Sequence, residues 1–333
     1  MTKIQQFILL LFISLGTFGH AQDVHYSQYS FAPSLLSPAL SHSFRSEFQG
    51  GAIYRNQWAS VPVKYASFLG YFDKKVLKSF AGNALAYGVH FQYDKAGDAG
   101  MSLMKIQFNG AISRPISPFL SLSVGLGAGY GSRQFSPEKL SFGSQFTDQY
   151  RPNTASGEVF NETSVGFMDL SAGLNAHINF KNKHQGNIGF SLSHFNQPKV
   201  SFLGADVSLL PSIQLYTLGH LYLSEKTDAL INTIYRHQGV YNETVISSGL
   251  KYYLNKEINR NLAVSVLAGV RLGDAFFPEF HVYYKNWTGG LSYDINHSDF
   301  KLATAGKGGP EFSIRYIANQ IVPPKKVKIC PIF

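Results

Sequence analysis

The chain has 333 residues, with 27 Phe, 19 Tyr and 31 Gly but only 15% charged residues, a profile of glycine-punctuated β structure more than of a helical bundle. A single Cys excludes an intrachain disulfide. The formal charge of +9 suits an anionic surface, yet its Lys and Arg are scattered through short turns and form no stripe, which argues against a nucleic-acid partner.

Residues 1–21 read as a secretory signal: a basic Lys3, an apolar core from Phe7 to Phe18, and the small-x-small site Gly19-His20-Ala21. Ser14 and Gly16 interrupt the apolar run, which weighs against a retained membrane anchor, and no Cys follows it to carry a lipid. Cleavage after Ala21 leaves Gln22 first, and residues 22–43 are then expected to form an N-terminal periplasmic or plug segment.

Beyond the signal no run approaches the ~20 apolar residues that a spanning helix needs, so strand alternation decides the class. In 119–131, Leu120, Leu122, Val124, Leu126, Ala128 and Tyr130 share one face, and Ser121, Ser123, Gly125, Gly127 and Gly129 the other. In 167–180, Met168, Leu170, Ala172, Leu174, Ala176, Ile178 and Phe180 alternate with Asp169, Ser171, Gly173, Asn175, His177 and Asn179. Strands of a soluble sandwich run ~5–6 residues, whereas tilted membrane strands run ~9–11 or more. Both segments have the membrane length.

About fourteen strands are predicted, near 44–58, 63–73, 83–94, 101–114, 119–131, 167–180, 187–195, 212–224, 229–237, 244–254, 261–272, 277–285, 287–295 and 310–318. They form an all-β, up-and-down antiparallel transmembrane barrel over 44–318, with a periplasmic tail at 319–333. An even count returns both chain ends to the periplasm. The periplasmic connections are then 73–82, 115–118, 181–186, 224–228, 255–260 and 285–286. The outer ones include 132–164, 196–211 and 296–309, the three longest in the chain. Short turns on one side and long loops on the other are what an outer-membrane barrel requires. The first outer connection, 59–62, is short and departs from that pattern.

The stretch GGLSYDINHSDF, 289–300, gathers Asp294, Asn296, His297, Ser298 and Asp299. A calcium loop needs Gly at its sixth position and Glu at its twelfth, where this chain has Asp299 and Ala305, so the stretch fails that test. His177 and His194, expected on strands, lie near Ser171, Ser191 and Ser193, but in no nucleophile context, and read as hydrated lumen lining. His25, His42, His237 and His281 lack carboxylates at metal-ligand spacing, and Cys330 has no second Cys. No catalytic, cofactor or metal site is therefore expected. Arg55 stands apart: at ~2–4 kcal/mol for a charge near the lipid midplane, it belongs in the lumen as an ion pair, or as a binder of a partner or plug, or at the strand end beside Trp58.

Four places resemble one family, the PorP/SprF outer-membrane proteins of the type IX secretion system, found in Bacteroidota. Gln22-Asp23-Val24-His25-Tyr26-Ser27-Gln28-Tyr29 and Leu36-Ser37-Pro38-Ala39 are similar to its opening, which usually has Pro and Asn where this chain has Val24 and Ser37. Tyr54-Arg55-Asn56-Gln57-Trp58 matches a second motif, followed by Tyr65 and an aromatic strand ending at Asp73. Gly290-Leu291-Ser292-Tyr293-Asp294-Ile295-Asn296 matches a third, with Gly309, Glu311, Phe312 and Tyr316 in the final strand. Cys330-Pro331-Ile332-Phe333 is similar to the family's end.

The resemblance implies a non-enzymatic secretion component in the Gram-negative outer membrane, without cofactors. It would assist export or surface anchoring of a secreted client, a gliding adhesin being one case. Its partners would be the secretion machinery, that client and outer-membrane lipid. The residues it marks as a structural or partner-docking signature are Tyr54, Arg55, Asn56, Gln57, Trp58, Tyr293, Asp294 and Asn296. Asp294 and Asn296 are expected near the outer rim, fixing the 296–309 loop by side-chain hydrogen bonds. A porin or substrate-selective channel is the alternative, and an outer-membrane hydrolase is disfavoured by the missing constellation.

Overall fold

The structure, a computed structural model, describes residues 23–44, 46–58, 65–97, 99–146, 157–160, 162–180, 183–202, 207–255, 262–298 and 304–318. The expected signal at 1–21, the tail at 319–333 and the short 59–62 connection lie outside them.

Long alternating segments become long strands: β1 (Phe48–Gln57), β2 (Tyr65–Phe80), β3 (Asn83–Ala96), β4 (Met101–Ser117), β5 (Leu120–Gln134), β6 (Ser164–Phe180), β7 (His184–Ser193), β8 (Ser212–Tyr222), β9 (Thr227–Gln238), β10 (Tyr241–Tyr253), β11 (Leu262–Arg271), β12 (Ala275–Tyr284), β13 (Trp287–Asn296) and β14 (Lys307–Ile317). Each pairs antiparallel with the next, and β14 returns to β1 in register from Gln49↔Ile317 to Arg55↔Glu311. Closure leaves the sheet without an edge, the condition for crossing a bilayer with strands. No described helix is long and apolar enough to cross one.

The faces follow the alternation. On β5, Leu122, Val124 and Leu126 are 46%, 48% and 64% exposed on the outside, while Ser123, Gly125 and Gly127 are buried towards the lumen. Phe108, Met168, Val266 and Phe312 extend the outward apolar band around the barrel, a surface suited to lipid. At its edges Trp287 packs edge-on against Tyr316 and Trp58 against Tyr65, with ring centroids 4.8 and 4.7 Å apart, as interfacial aromatics do.

Of the boundaries that differ from expectation, two bear on the lumen. The predicted 73–82 connection is mostly strand, because β2 runs on to Phe80 and only 81–82 turn. Its charges read as a turn, but Asp73 points into the lumen and accepts from Gln49 Nε2 at 3.0 Å, and Lys74 pairs with Glu47 at 3.6 Å. His194 is not on a strand either: β7 ends at Ser193, and His194 opens the next loop with φ 56°. The connections at one end, among them 81–82, 118–119 and 285–286, are tight, while the other end carries 135–163, 194–211 and 297–306.

The lumen is filled. Residues 23–44 run through it from Asp23, which meets the long-loop ends of β7 and β9, to Phe44, whose carbonyl accepts from Lys75 near the short-turn end. A lone strand inside a barrel would leave its backbone unpaired, so the segment folds on itself: a 3₁₀ turn at Tyr29–Phe31, one helical turn at Pro33–Leu36 and a second 3₁₀ turn at Pro38–His42. Pro33 and Pro38 open their turns, where a missing N–H costs nothing.

The hydrophobic core is the contact between this plug and the wall. Tyr29, Leu36 and Leu40 pack with Tyr216, Ile234, Val245 and Phe277, and Tyr26, Phe31 and Ala32 pack with Ile53, Leu69 and Tyr71. A fully buried leucine contributes about 1.5–3 kcal/mol, so plug and barrel stabilise each other. Gly125 makes room for the plug: a Cβ there would run into the backbone of Pro38 and Ala39.

Candidate functional site: the lock on the plug

At the long-loop end, strands from both termini of the sequence bring five charged side chains to the plug: Arg55 from β1, Glu243 from β10, Arg271 from β11, Asp294 from β13 and Glu311 from β14. Arg55 Nη2 donates to Asp294 Oδ2 at 2.6 Å, its Nη1 donates to the plug carbonyl of His25, and its Nε lies 3.8 Å from Glu311 Oε2. Arg271 Nη1 reaches the same Asp294 oxygen at 3.2 Å, and its Nε lies 3.7 Å from Glu243.

The plug supplies the centre of this network. Ser27 Oγ donates to Asp294 Oδ1 at 2.6 Å and accepts from Arg271 Nη2 at 2.9 Å. Glu311 accepts the backbone N–H groups of Ser27 and Gln28 at 2.8 and 2.6 Å, one on each oxygen. The Gln28 side chain donates to the Glu311 carbonyl at 2.9 Å and accepts from Ser313 Oγ at 2.7 Å. Gly290 leaves the space for it, since a Cβ there would meet Gln28 Oε1. Arg55, Asp294 and Glu311 are each 1% exposed, so the ions are compensated almost wholly by one another and by the plug.

A second contact lies further out. His194 Nε2 meets Asp23 Oδ2 at 2.8 Å and its Nδ1 meets Asp169 Oδ1 at 2.7 Å, and Asp169 is also paired with Lys105. Burial pulls the His194 pKa down, but Asp23 and Asp169 outweigh it and raise the value to about 9, so the ring is a cation donating from both nitrogens. Burial likewise pushes the Asp23 carboxyl up, and His194, with Lys105 and Arg236, holds it below the ordinary carboxylate range. With both nitrogens engaged by carboxylates, His194 has none left to act as a base. Among the described residues no group of three or more His, Cys, Asp or Glu is placed to hold a metal ion.

Of the residues marked in the sequence, Arg55 and Asp294 meet directly, in the lumen. Asn296 is also lumenal, beside Gly308 at the end of β13, whereas Tyr54 and Tyr293 point outward at 43% and 40% exposure. Asn56 and Gln57 are half-buried, and the Asn56 carbonyl leaves no room for a side chain at Gly309. Trp58 turns the chain out of β1 with φ 53° and donates its backbone N–H to the Gly308 carbonyl at 2.6 Å.

Among the described residues, Asp294 bonds to Arg55, Arg271 and Ser27, and the start of the expected 296–309 loop is held by Asp274, whose carbonyl accepts the His297 and Ser298 N–H groups at 2.8 and 3.1 Å. Sequence reasoning missed Glu243, Arg271, Lys105 and the His194 contact. A signal existed for Asp169, the one carboxylate on the polar face of β6.

The model of a known family, described as type IX secretion system membrane protein PorP/SprF, matches residues 18–316. No curated protein sequence matches the chain. Among solved structures, the CymD monoaromatic hydrocarbon channel is similar at 11% identity and a TM-score of 0.50, over 92% of this chain and 96% of that one. A Pseudomonas aeruginosa FadL homologue is similar at 9% identity and a TM-score of 0.50, over 86% and 94%. At these identities the likeness is one of fold.

Proposed function

This chain belongs to the PorP/SprF family of type IX secretion system membrane proteins, and we propose that it is a non-enzymatic outer-membrane component assisting export or surface anchoring of one secreted client, a gliding adhesin being one case. In this reading residues 1–21 are a cleaved signal, 22–43 a plug, 44–318 the barrel and 319–333 a periplasmic tail. The short-turn end faces the periplasm and the long loops face outward, as in other outer-membrane barrels. The observation that carries a docking role over a conducting one is the plug, which runs the length of the lumen and is held at the long-loop end by buried ions. The signature Tyr54, Arg55, Asn56, Gln57, Trp58, Tyr293, Asp294 and Asn296 serves in this reading to close the wall around that plug.

The long loops supply a docking rim. Phe135, Phe142, Phe160 and Phe202 pack together there, with ring centroids 4.9–5.8 Å apart. Long loops of this kind are more often functional than neutral. Deleting the gene is expected to abolish surface display or release of one secreted protein while general secretion continues, and shortening the 135–163 loop to reproduce that defect with the barrel folded. A deletion strain that secretes every client normally but loses uptake of a small solute would instead establish a channel.

A further inference from the structure

Beside the later part of the plug, towards the short-turn end, the lumen keeps two cavities of about 570 and 450 Å³. They meet where the plug leaves the lumen, since Ser43, Phe44 and His177 line both. Their lining is one-sided in charge. Lys75 borders the first, Lys251 and Arg315 the second, and among the described residues no Asp or Glu borders either. Three carboxylates stand behind the lining: Asp73, which accepts from Gln49, Asp228, which accepts from Tyr253 Oη at 2.6 Å and lies 2.9 Å from His220 Nε2, and Glu279, 3.3 Å from His281 Nε2.

The two cations of the second cavity are held by rings. Lys251 Nζ stands 3.9 Å from the centre of the Tyr283 ring, and the Arg315 guanidinium 4.9 Å from that of the plug residue Phe31. A guanidinium takes a carboxylate through parallel hydrogen bonds, so an anion is the natural partner for the Arg315 side chain where it borders this space. The same lining carries amide side chains, Gln185, Asn187 and Asn232, and apolar Leu218 and Leu230.

We propose that this chamber binds an acidic peptide segment, whose carboxylates meet Arg315 and Lys251 and whose backbone pairs with the lining amides. A small inorganic anion would use the cations and leave the amide and apolar lining unmatched. Lipid is kept outside the wall that encloses the chamber. The chain's own continuation, 319–333, starts beside Ile317 at this mouth but contains no Asp or Glu and carries Lys325, Lys326 and Lys328, the wrong sign for an occupant. The identity of the peptide, part of a secretion partner in the periplasm, rests on the function proposed above; the binding itself does not.

The test uses the purified full-length barrel in detergent, a fluorescent capped peptide of alternating Asp and Phe, and the same peptide with Asn for Asp. The acidic peptide is expected to bind and to weaken as salt rises, the Asn version to fail, and K251Q/R315Q to weaken binding at least about tenfold. Heat-modifiable migration checks that the variant folds, and K251Q alone, with R315K as the charge-retaining control, covers a variant that does not. Equal binding of both peptides, unchanged binding by the variants, or equally tight binding of inorganic phosphate or anionic lipid micelles overturns the site. Loss of peptide binding with client export intact overturns only the peptide's assignment to secretion. A client defect in the deletion strain without peptide binding leaves the family role standing and removes this chamber from it.

Discussion

Arg55 shows how much one side chain carries. Removing its guanidinium would leave the Asp294 and Glu311 carboxylates, each 1% exposed, short of their shared cation, and would free the His25 carbonyl from its donor. Breaking a buried pair from one side costs about 3–5 kcal/mol, so Arg55→Ala is expected to lower stability by that order in urea titrations of the barrel in lipid vesicles. Asp294→Ala alone should cost similarly, and the double variant clearly less than the sum, because the second change removes the charge that the first left stranded. Additive costs would mean the two side chains do not act as a pair.

His194 sets a pH limit on the outer contact. Its folded pKa, about 9, lies above the ordinary 6.5, so its contribution is full below 6.5 and is lost as pH rises through about 9. Asp23 has the opposite sign: its value is depressed below 3.8, so its share is present above 3.8 and is lost on strong acidification. Hydrogen exchange at the start of the plug should therefore be slow at neutral pH and accelerate near pH 9 beyond the intrinsic base dependence, and His194→Gln should abolish the extra step. An unchanged pH profile in that variant would remove His194 from the contact.

Among the elements, the strands were legible because each is long enough to show its period twice over: one face had to be apolar for lipid and the other small or polar. The facing carries a direct test. Arg at Val124 should destabilise by ~2–4 kcal/mol if that position is at midplane, and Arg at Ser123 much less, because Ser123 borders a cavity beside the plug, where a long side chain has room. Equal costs would contradict the faces.

The plug was legible only as one of two alternatives for 22–43, a periplasmic or a plug segment. Its three short turns have neither strand nor helix period, and its apolar residues have partners that a polar lumen gives no reason to expect: Ile53, Leu69, Tyr216, Ile234, Val245 and Phe277 face inward because the plug covers them. Arg55 could be assigned to the lumen from the cost of a charge in lipid, but its partner Asp294 lies 239 positions away, and periodicity says nothing at that range. The alternation that set Gly125 on the inner face left open why it is glycine. The plug backbone answers that, and Gly125→Val is expected to unseat the Pro38–Ala39 turn and speed proteolysis within 23–44 while the strands stay paired.

For the whole molecule, a filled lumen predicts a closed one. Full-length protein in planar bilayers should show no stable large conductance, and a variant lacking 23–43 should show one. A conducting full-length barrel would sink the plugged reading.

The lock also constrains the order of assembly. Ser27 reaches Glu311 across 284 positions, and Arg55 is in register with that same Glu311 where β1 meets β14. The seam that turns the sheet into a cylinder is therefore the seam that grips the plug, and neither can be completed before the last strand is laid down. Loop-closure entropy makes so distant a pairing slow to form. A segment already lying across the unfinished sheet, offering Leu36 and Leu40 to one part of the wall and Phe31 to another, gives the strands a surface to wrap. On that order the N-terminal residues would help the barrel wind, and what later blocks the lumen would first have served as a guide to its shape.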